Sequence, residues 1–196
     1  MLNIILFGPP GSGKGTQAEK LRDQFSLFHI STGEIFRREI KGKTILGEEV
    51  SSFMSAGKLV PDELTFRVLT TEIENNLSLA KNGTIFDGYP RTIPQAEIMD
   101  AYFAKQNTTI AAVLSLVGRE EVFKERIKLR AIVSGRPDDA DENVINHRMQ
   151  VYRDQTFPLA DFYAAQKKYV ELNGEETIEE VFNSLCKKIN GLLGQH

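Results

Sequence analysis

The sequence predicts an α/β fold: a doubly wound, five-stranded parallel sheet with helices on both faces, interrupted by a helical insertion and a short lid. Three observations lead there. Short apolar runs alternate with amphipathic stretches, the pattern of strands buried on both faces. The first apolar run passes through a glycine-dense turn into a helical pattern. The charged motifs fall just after strands, where ligands of such sheets bind.

The first strand is predicted over Asn3–Phe7. Directly behind it, Gly8, Gly13 and Lys14 fit the G-x-x-x-x-G-K spacing of a phosphate-binding loop, which makes the sheet one of the P-loop NTPase type. The glycines let the backbone curl so that successive N–H groups point at phosphate oxygens. A helix over Gly15–Gln24, opening near Lys14, adds its positive dipole end to the same spot. Lys14 supplies a point charge for the terminal phosphates. Gly15 stands where the general motif has a magnesium-ligating Ser or Thr, so a metal would be held by phosphates, water and another carboxylate.

The second strand is predicted over Phe28–Ile30. Ser31–Val60 then interrupts the alternation with a long, polar, helical segment. The third strand, Thr84–Asp87, ends in an aspartate followed by glycine. A carboxylate there can hold a magnesium-bound water beside the loop. Arg91 follows it. After a fourth strand, Ala111–Leu116, a helix around Val122–Leu129 carries Arg126 and Arg130, four apart and so on one side. Ala131–Asp139 reads as a short loop between helices and holds Arg136, with Arg148 on the next helix. Asp138 and Asp139 fit capping of that helix or pairing with arginine, capping being at least as good. The last strand is predicted over Tyr169–Leu172.

Taken singly, each arginine reads as a solvated surface residue. Beside a phosphate loop, the set makes chemical sense. Phosphoryl transfer needs positive charge around three equatorial oxygens and clamps on donor and acceptor phosphates. Planar guanidinium groups suit that task better than ammonium groups.

Composition narrows the function. A net charge of -3 gives no reason to expect nucleic acid or an anionic membrane as the main partner. No apolar run approaches membrane-spanning length. The single cysteine, Cys186, suits a reducing, cytoplasmic setting. His29, His147 and His196 are isolated, and no His/Cys cluster has zinc spacing.

These motifs, in this order, resemble the adenylate kinases within the nucleoside monophosphate kinases, over nearly the whole chain. The matching blocks are Gly8–Gln17, Ile30–Arg37, Gly57–Pro61, Phe86–Ala96, Arg126–Arg130 and Ser134–Asp139. The resemblance implies transfer of the ATP γ-phosphoryl group to AMP, giving two ADP, with Mg²⁺ and without zinc. It implies a core (1–30, 61–130, 140–196), an NMP-binding segment (31–60) and a lid (131–139). Gly11, Ser12, Gly13, Lys14, Gly15 and Thr16 would cradle the ATP phosphates, Arg130 would also contact ATP, Arg126 would stack over its adenine, and the loop near Glu176 would meet that adenine through backbone. Thr32, Arg37, Lys58, Leu59, Val60, Gly88, Tyr89, Pro90, Arg91 and Gln95 would bind AMP, with Arg136 and Arg148 joining when the lid closes. Lys14, Arg91, Arg126, Arg136 and Arg148 would form the catalytic set, and Asp87 would hold the metal through water. Arg136 and Arg148 stand one residue further apart than the family spacing, with the extra residue expected within Pro137–Glu142. Gln95 in TIPQA is the adenine-reading form; the sibling UMP/CMP kinases carry asparagines in that stretch. A pyrimidine monophosphate kinase is the alternative enzyme, and a non-catalytic nucleotide sensor the alternative of another class. A monomer is expected.

Overall fold

A computed structural model describes every residue except Gly135, Gln195 and His196, and gives the backbone alone of Pro137. Gly135 of the predicted lid and the terminal His196 therefore lie outside the described residues. Five strands form one parallel sheet: β1 (Leu2–Phe7), β2 (Phe28–Ser31), β3 (Gly83–Asp87), β4 (Ile110–Val117) and β5 (Tyr169–Asn173). Their order is β2-β3-β1-β4-β5. The first strand thus sits in the middle, and the chain reverses direction of winding there, which opens a crevice at its carboxyl end.

The alternation of the pleat divides the core in two. Ile5 and Phe7 of β1 pack with Phe86, Met99, Phe103 and Tyr163 on one face. Ile4 and Leu6 pack with Ala18, Leu21, Ile85, Leu185 and Ile189 on the other. All six residues of β1 are buried, as a strand covered on both sides requires. Helix α1 (Lys14–Phe25) and helix α9 (Ile178–Leu193) cover the second face. Helix α9 begins in a reciprocal cap between Thr177 and Glu180, which satisfies its free N–H groups.

The Ser31–Val60 segment forms α2 (Thr32–Lys41) and α3 (Ile45–Ser55). It closes on its own small core of Phe36, Val50, Val60 and Leu64. Helix α4 (Asp62–Asn75) returns the chain to the sheet, and α5 (Ile93–Lys105) follows β3.

The lid differs from its expected form. Helix α6 (Glu120–Ser134) continues through Ala131–Ser134, residues expected in a loop. Nothing in the sequence breaks the helix before Gly135, and Ser134 Oγ donates to the Arg130 carbonyl at 2.8 Å. The turn Pro137–Asp139 leads into α7 (Glu142–Val151), and Phe123, Ile127, Ile145 and Met149 hold α6 and α7 together. The expected capping by Asp138 and Asp139 is corrected too: Asp141 caps α7, accepting from Asn143 N. After α7, a π-helical stretch (Tyr152–Thr156) leads to α8 (Leu159–Ala165). Among the described residues, no helix is long and apolar enough to cross a membrane.

Candidate active site

The main cavity, about 230 Å³, lies at the carboxyl ends of β1 and β3. Its floor is the loop from Gly8 to Gly13. Gly11 and Gly13 have φ of 81° and 96°, a region that side chains rarely tolerate. At Gly11 a Cβ would lie 2.2 Å from the Phe123 carbonyl oxygen, so α6 packs directly on the loop. At Gly13 a Cβ would meet nothing within 4 Å, because that face opens into the cavity.

Lys14 opens α1 and folds back over the loop. Its Nζ donates to the carbonyls of Gly8 at 2.7 Å and Pro9 at 2.9 Å, and lies 3.4 Å from Ser12 Oγ. Withdrawal from water pulls its pKa down to about 8, with Asp87 opposing and Arg91, Arg130 and Arg148 adding to the fall. The ammonium is therefore short of negative charge and ready for an anion.

Around this floor stand Arg37, Arg91, Arg130, Arg136 and Arg148. Arg91 Nε donates to the Gly88 carbonyl at 2.8 Å, and burial, then the neighbouring Arg148, lower its pKa to about 10. Thr32 Oγ1 reaches the same carbonyl at 2.9 Å. Arg130 grips both oxygens of Asp139, at 2.7 Å from Nε and 2.9 Å from Nη2. Arg148 Nη1 reaches Asp139 at 2.7 Å and Asp138 at 3.1 Å. Arg148 thus faces the cavity despite its longer separation from Arg136. Two contacts cross from the lid to α2: Arg37 to Asp138 at 3.8 Å and Arg136 to Glu34 at 4.0 Å. Asp87 ends β3 against the start of α1, with Ser31 Oγ 3.4 Å from its Oδ2. Among the described residues, no group of three or more His, Cys, Asp or Glu could hold a metal.

Beside the main cavity lies a smaller one, about 30 Å³, lined by Thr32, Lys58, Leu59, Val60, Gly88 and Gln95 among others. It has room for a water rather than a purine ring. Gln95 is 2% exposed, and both ends of its amide are engaged. Oε1 accepts from Arg91 N at 2.7 Å, and Nε2 donates to Asp62 Oδ1 at 2.7 Å.

The two cavities bring together most of the sequence-predicted site: Gly11, Gly13, Lys14, Gly15, Thr16, Arg37, Leu59, Asp87, Gly88, Pro90, Arg91, Arg130, Arg136 and Arg148 around the first, Thr32, Lys58, Val60 and Gln95 around the second. Ser12 is buried under the loop. Tyr89 turns its ring into the core instead, where it is 1% exposed and its hydroxyl donates to the Gln95 carbonyl at 3.2 Å. Tyr89 lines neither cavity, though its neighbours Gly88 and Pro90 do. Arg126 is not brought to the phosphate cavity with the rest of the expected catalytic set. One turn before Arg130, its guanidinium donates to the carbonyls of Gly174 at 2.6 Å and Glu175 at 3.1 Å, beside Glu176. Sequence reasoning missed Asp62, which stands at the start of α4 like any first-turn acid, and left Asp139 undecided between two roles.

The description "Adenylate kinase" belongs to the family model that this chain matches over residues 6–168. The adenylate kinase of Flavobacterium psychrophilum is 43% identical over 98% of this chain and 100% of its own length. That of Azobacteroides pseudotrichonymphae is 45% identical over 98% of this chain and 99% of its own. That of Bacteroides fragilis is 41% identical over 98% and 100%.

Proposed function

This chain belongs to the adenylate kinase family, and we propose how its residues divide the family's reaction. The reaction is reversible transfer of the ATP γ-phosphoryl group to AMP, giving two ADP; a pyrimidine monophosphate kinase is not favoured. The observation that carries the assignment of roles is the convergence of Lys14, Arg91, Arg130, Arg136 and Arg148 on one cavity at the strand ends.

The backbone N–H groups from Gly11 to Thr16 cradle the ATP phosphates at the start of α1. Lys14 leaves the Gly8 and Pro9 carbonyls for the transferring group. Arg91 and Arg37 hold the AMP phosphate. Arg136 and Arg148 supply charge to the equatorial oxygens in the transition state, and Arg130 steadies the ATP phosphates. Arg126 shapes the loop at Glu176 that meets the ATP base. Gln95 reads the AMP base, with Thr32, Gly88 and the backbone of Lys58–Val60 and Tyr89–Pro90 around it.

The single carboxylate of Asp87 beside the start of α1 is compatible with Mg²⁺, which keeps most of its waters and takes one or two carboxylates together with substrate phosphates. Asp87 would hold the ion through water, and the ion would neutralise charge on the β- and γ-oxygens. The transfer is direct and in line, without a protein nucleophile. Rate comes from positioning and electrostatics, with water shut out as the lid and the α2–α3 segment close; an open site would hydrolyse ATP.

The test is ADP formation from MgATP with AMP, CMP, UMP or GMP offered in turn. Strong preference for AMP is expected. Preference for a pyrimidine would overturn the role given to Gln95, and no turnover with any acceptor would overturn the phosphotransfer itself.

A further inference from the structure

Gln95 is an amide, and an amide reads a base only if its two ends are told apart. Turned one way, its edge offers oxygen beside N–H in the order that meets the adenine amino group and N1. Turned by half a rotation, the same edge suits a 6-oxo purine, which carries an acceptor and an N1–H at those positions. Nothing in the shape of a glutamine distinguishes the two states. The partners do.

Asp62 opens α4, and Oδ1 of its carboxylate accepts from Gln95 Nε2 at 2.7 Å. Oδ2 accepts from the Thr92 hydroxyl at 3.0 Å, so the carboxylate is itself held from two sides. Thr92 is the N-cap of α5 and accepts from Gln95 N at 3.3 Å. At the other end of the amide, Arg91 N donates to Gln95 Oε1 at 2.7 Å. A carboxylate accepts and a backbone N–H donates, so the flipped amide would set oxygen against oxygen and N–H against N–H. Each amide group keeps one site unspent: Oε1 a second lone pair, Nε2 a second hydrogen. Gln95 lines the smaller cavity, so whatever the amide offers there is offered in one fixed order.

The geometry points to Asp62 as the positioning residue that fixes the amide of Gln95 and so sets adenine over 6-oxo purines as the monophosphate base. This rests on the reading of Gln95 as the AMP-base residue. Asp62 touches no substrate and acts through Gln95. It also ties the first residue of α4 to the start of α5, so the base-reading side chain is held from the helix that follows the α2–α3 segment.

The test compares kcat/KM for AMP with that for inosine monophosphate in the full-length enzyme. Asp62→Ala should lower the AMP-to-IMP ratio by about tenfold, the scale of one orienting hydrogen bond, with the KM for ATP unchanged. Asp62→Asn should lower the ratio too, though less than Asp62→Ala, because its amide can present either oxygen to Nε2 or N–H to the oxygen of a flipped Gln95. A merely structural tie between α4 and α5 would lower the melting temperature of Asp62→Ala and leave the ratio alone, which overturns the proposal. Gln95→Ala separates the two levels. If it raises the KM for AMP while Asp62→Ala leaves the ratio intact, base reading stands and the positioning role falls; if it leaves the KM for AMP alone, both fall. Should Asp62→Ala not fold, the unchanged protein decides. Labelled with ¹⁵N, its Gln95 side-chain amide protons should exchange with solvent more slowly than those of the exposed Gln106 and Gln155, and equal rates would overturn the lock.

Discussion

Arg148 of α7 and Asp139 of the turn before it meet at 2.7 Å, where the Asp139 side chain has no exposure and the Arg148 side chain 18%. The same carboxylate takes a two-pronged contact from Arg130. Two guanidinium groups that face the phosphate cavity are thus set by one buried anion.

Removing that anion leaves Arg130 without its carboxylate partner and Arg148 with Asp138 alone. Asp139→Ala should cost about 3 kcal/mol, the low end for breaking a buried ion pair, and lower the melting temperature by about 6–12 °C. Turnover should fall with it. Burial alone would raise the Asp139 carboxyl, but the Arg130 and Arg148 contacts outweigh it and hold it below the usual carboxylate value. A depressed carboxyl stabilises above its unfolded pKa and loses that contribution as pH drops. The gap in melting temperature between wild type and Asp139→Asn should therefore be full above about pH 5 and close as pH falls below about 4. Thermal melts across that window check both statements; a pH-independent gap would refute the second.

Lys14 gives a prediction in the alkaline range. With its pKa near 8, much of it is uncharged in the free protein just above that pH. Phosphate oxygens favour the charged form, so ATP binding should draw a proton from solution there. Calorimetry near pH 8.5, about half a unit above that value, in two buffers of different ionisation heat should report the uptake, and Lys14→Met should abolish it. Turnover of Lys14→Met should drop by orders of magnitude with the fold retained. In the unliganded protein the unfolded chain holds a proton that the folded one lacks between about 8 and 10.5, so this group adds stability as pH rises through that interval. A buffer-independent binding heat would count against the charge assignment.

Two glycines of one loop should fail differently. Gly11→Ala drives a methyl group into the Phe123 carbonyl, and the loop or α6 must give way. A loss of about 3 kcal/mol or more is expected. Gly13→Ala meets no atom and carries only left-handed strain, about 1–2 kcal/mol. Its methyl group stands in the anion's place, however. Melting should fall by about 2–8 °C, less than for Gly11→Ala, and ATP affinity should be much reduced. Equal melting temperatures for the two variants would contradict the packing described.

The sheet was readable because its signal is local. A run such as Ile4–Phe7 has no other way to bury its side chains, and each strand lies within two residues of its expected ends. The phosphate loop was readable because glycine positions are dictated by backbone conformation. The lid was less so: Ala131–Ser134 has no breaker, and its helix continues up to Gly135. Asp138 and Asp139 look like caps in sequence, since an acid before a helix does both jobs. The contact between Asp62 and Gln95 spans 33 residues and two helix starts, and no local pattern announces it. Arg126 shares a helix face with Arg130, yet the carbonyls of Gly174 and Glu175 hold it away.

The cavity gathers Lys14, Arg37, Arg91, Arg130, Arg136 and Arg148 against Glu19, Glu34 and Asp87, on a chain whose net charge is -3. Seen from a distance the molecule is an anion; seen from the mouth of the crevice it is a cation. Ions in the medium screen the distant view beyond about 8–10 Å. A small polyphosphate arriving at the crevice meets only the near field and is drawn in.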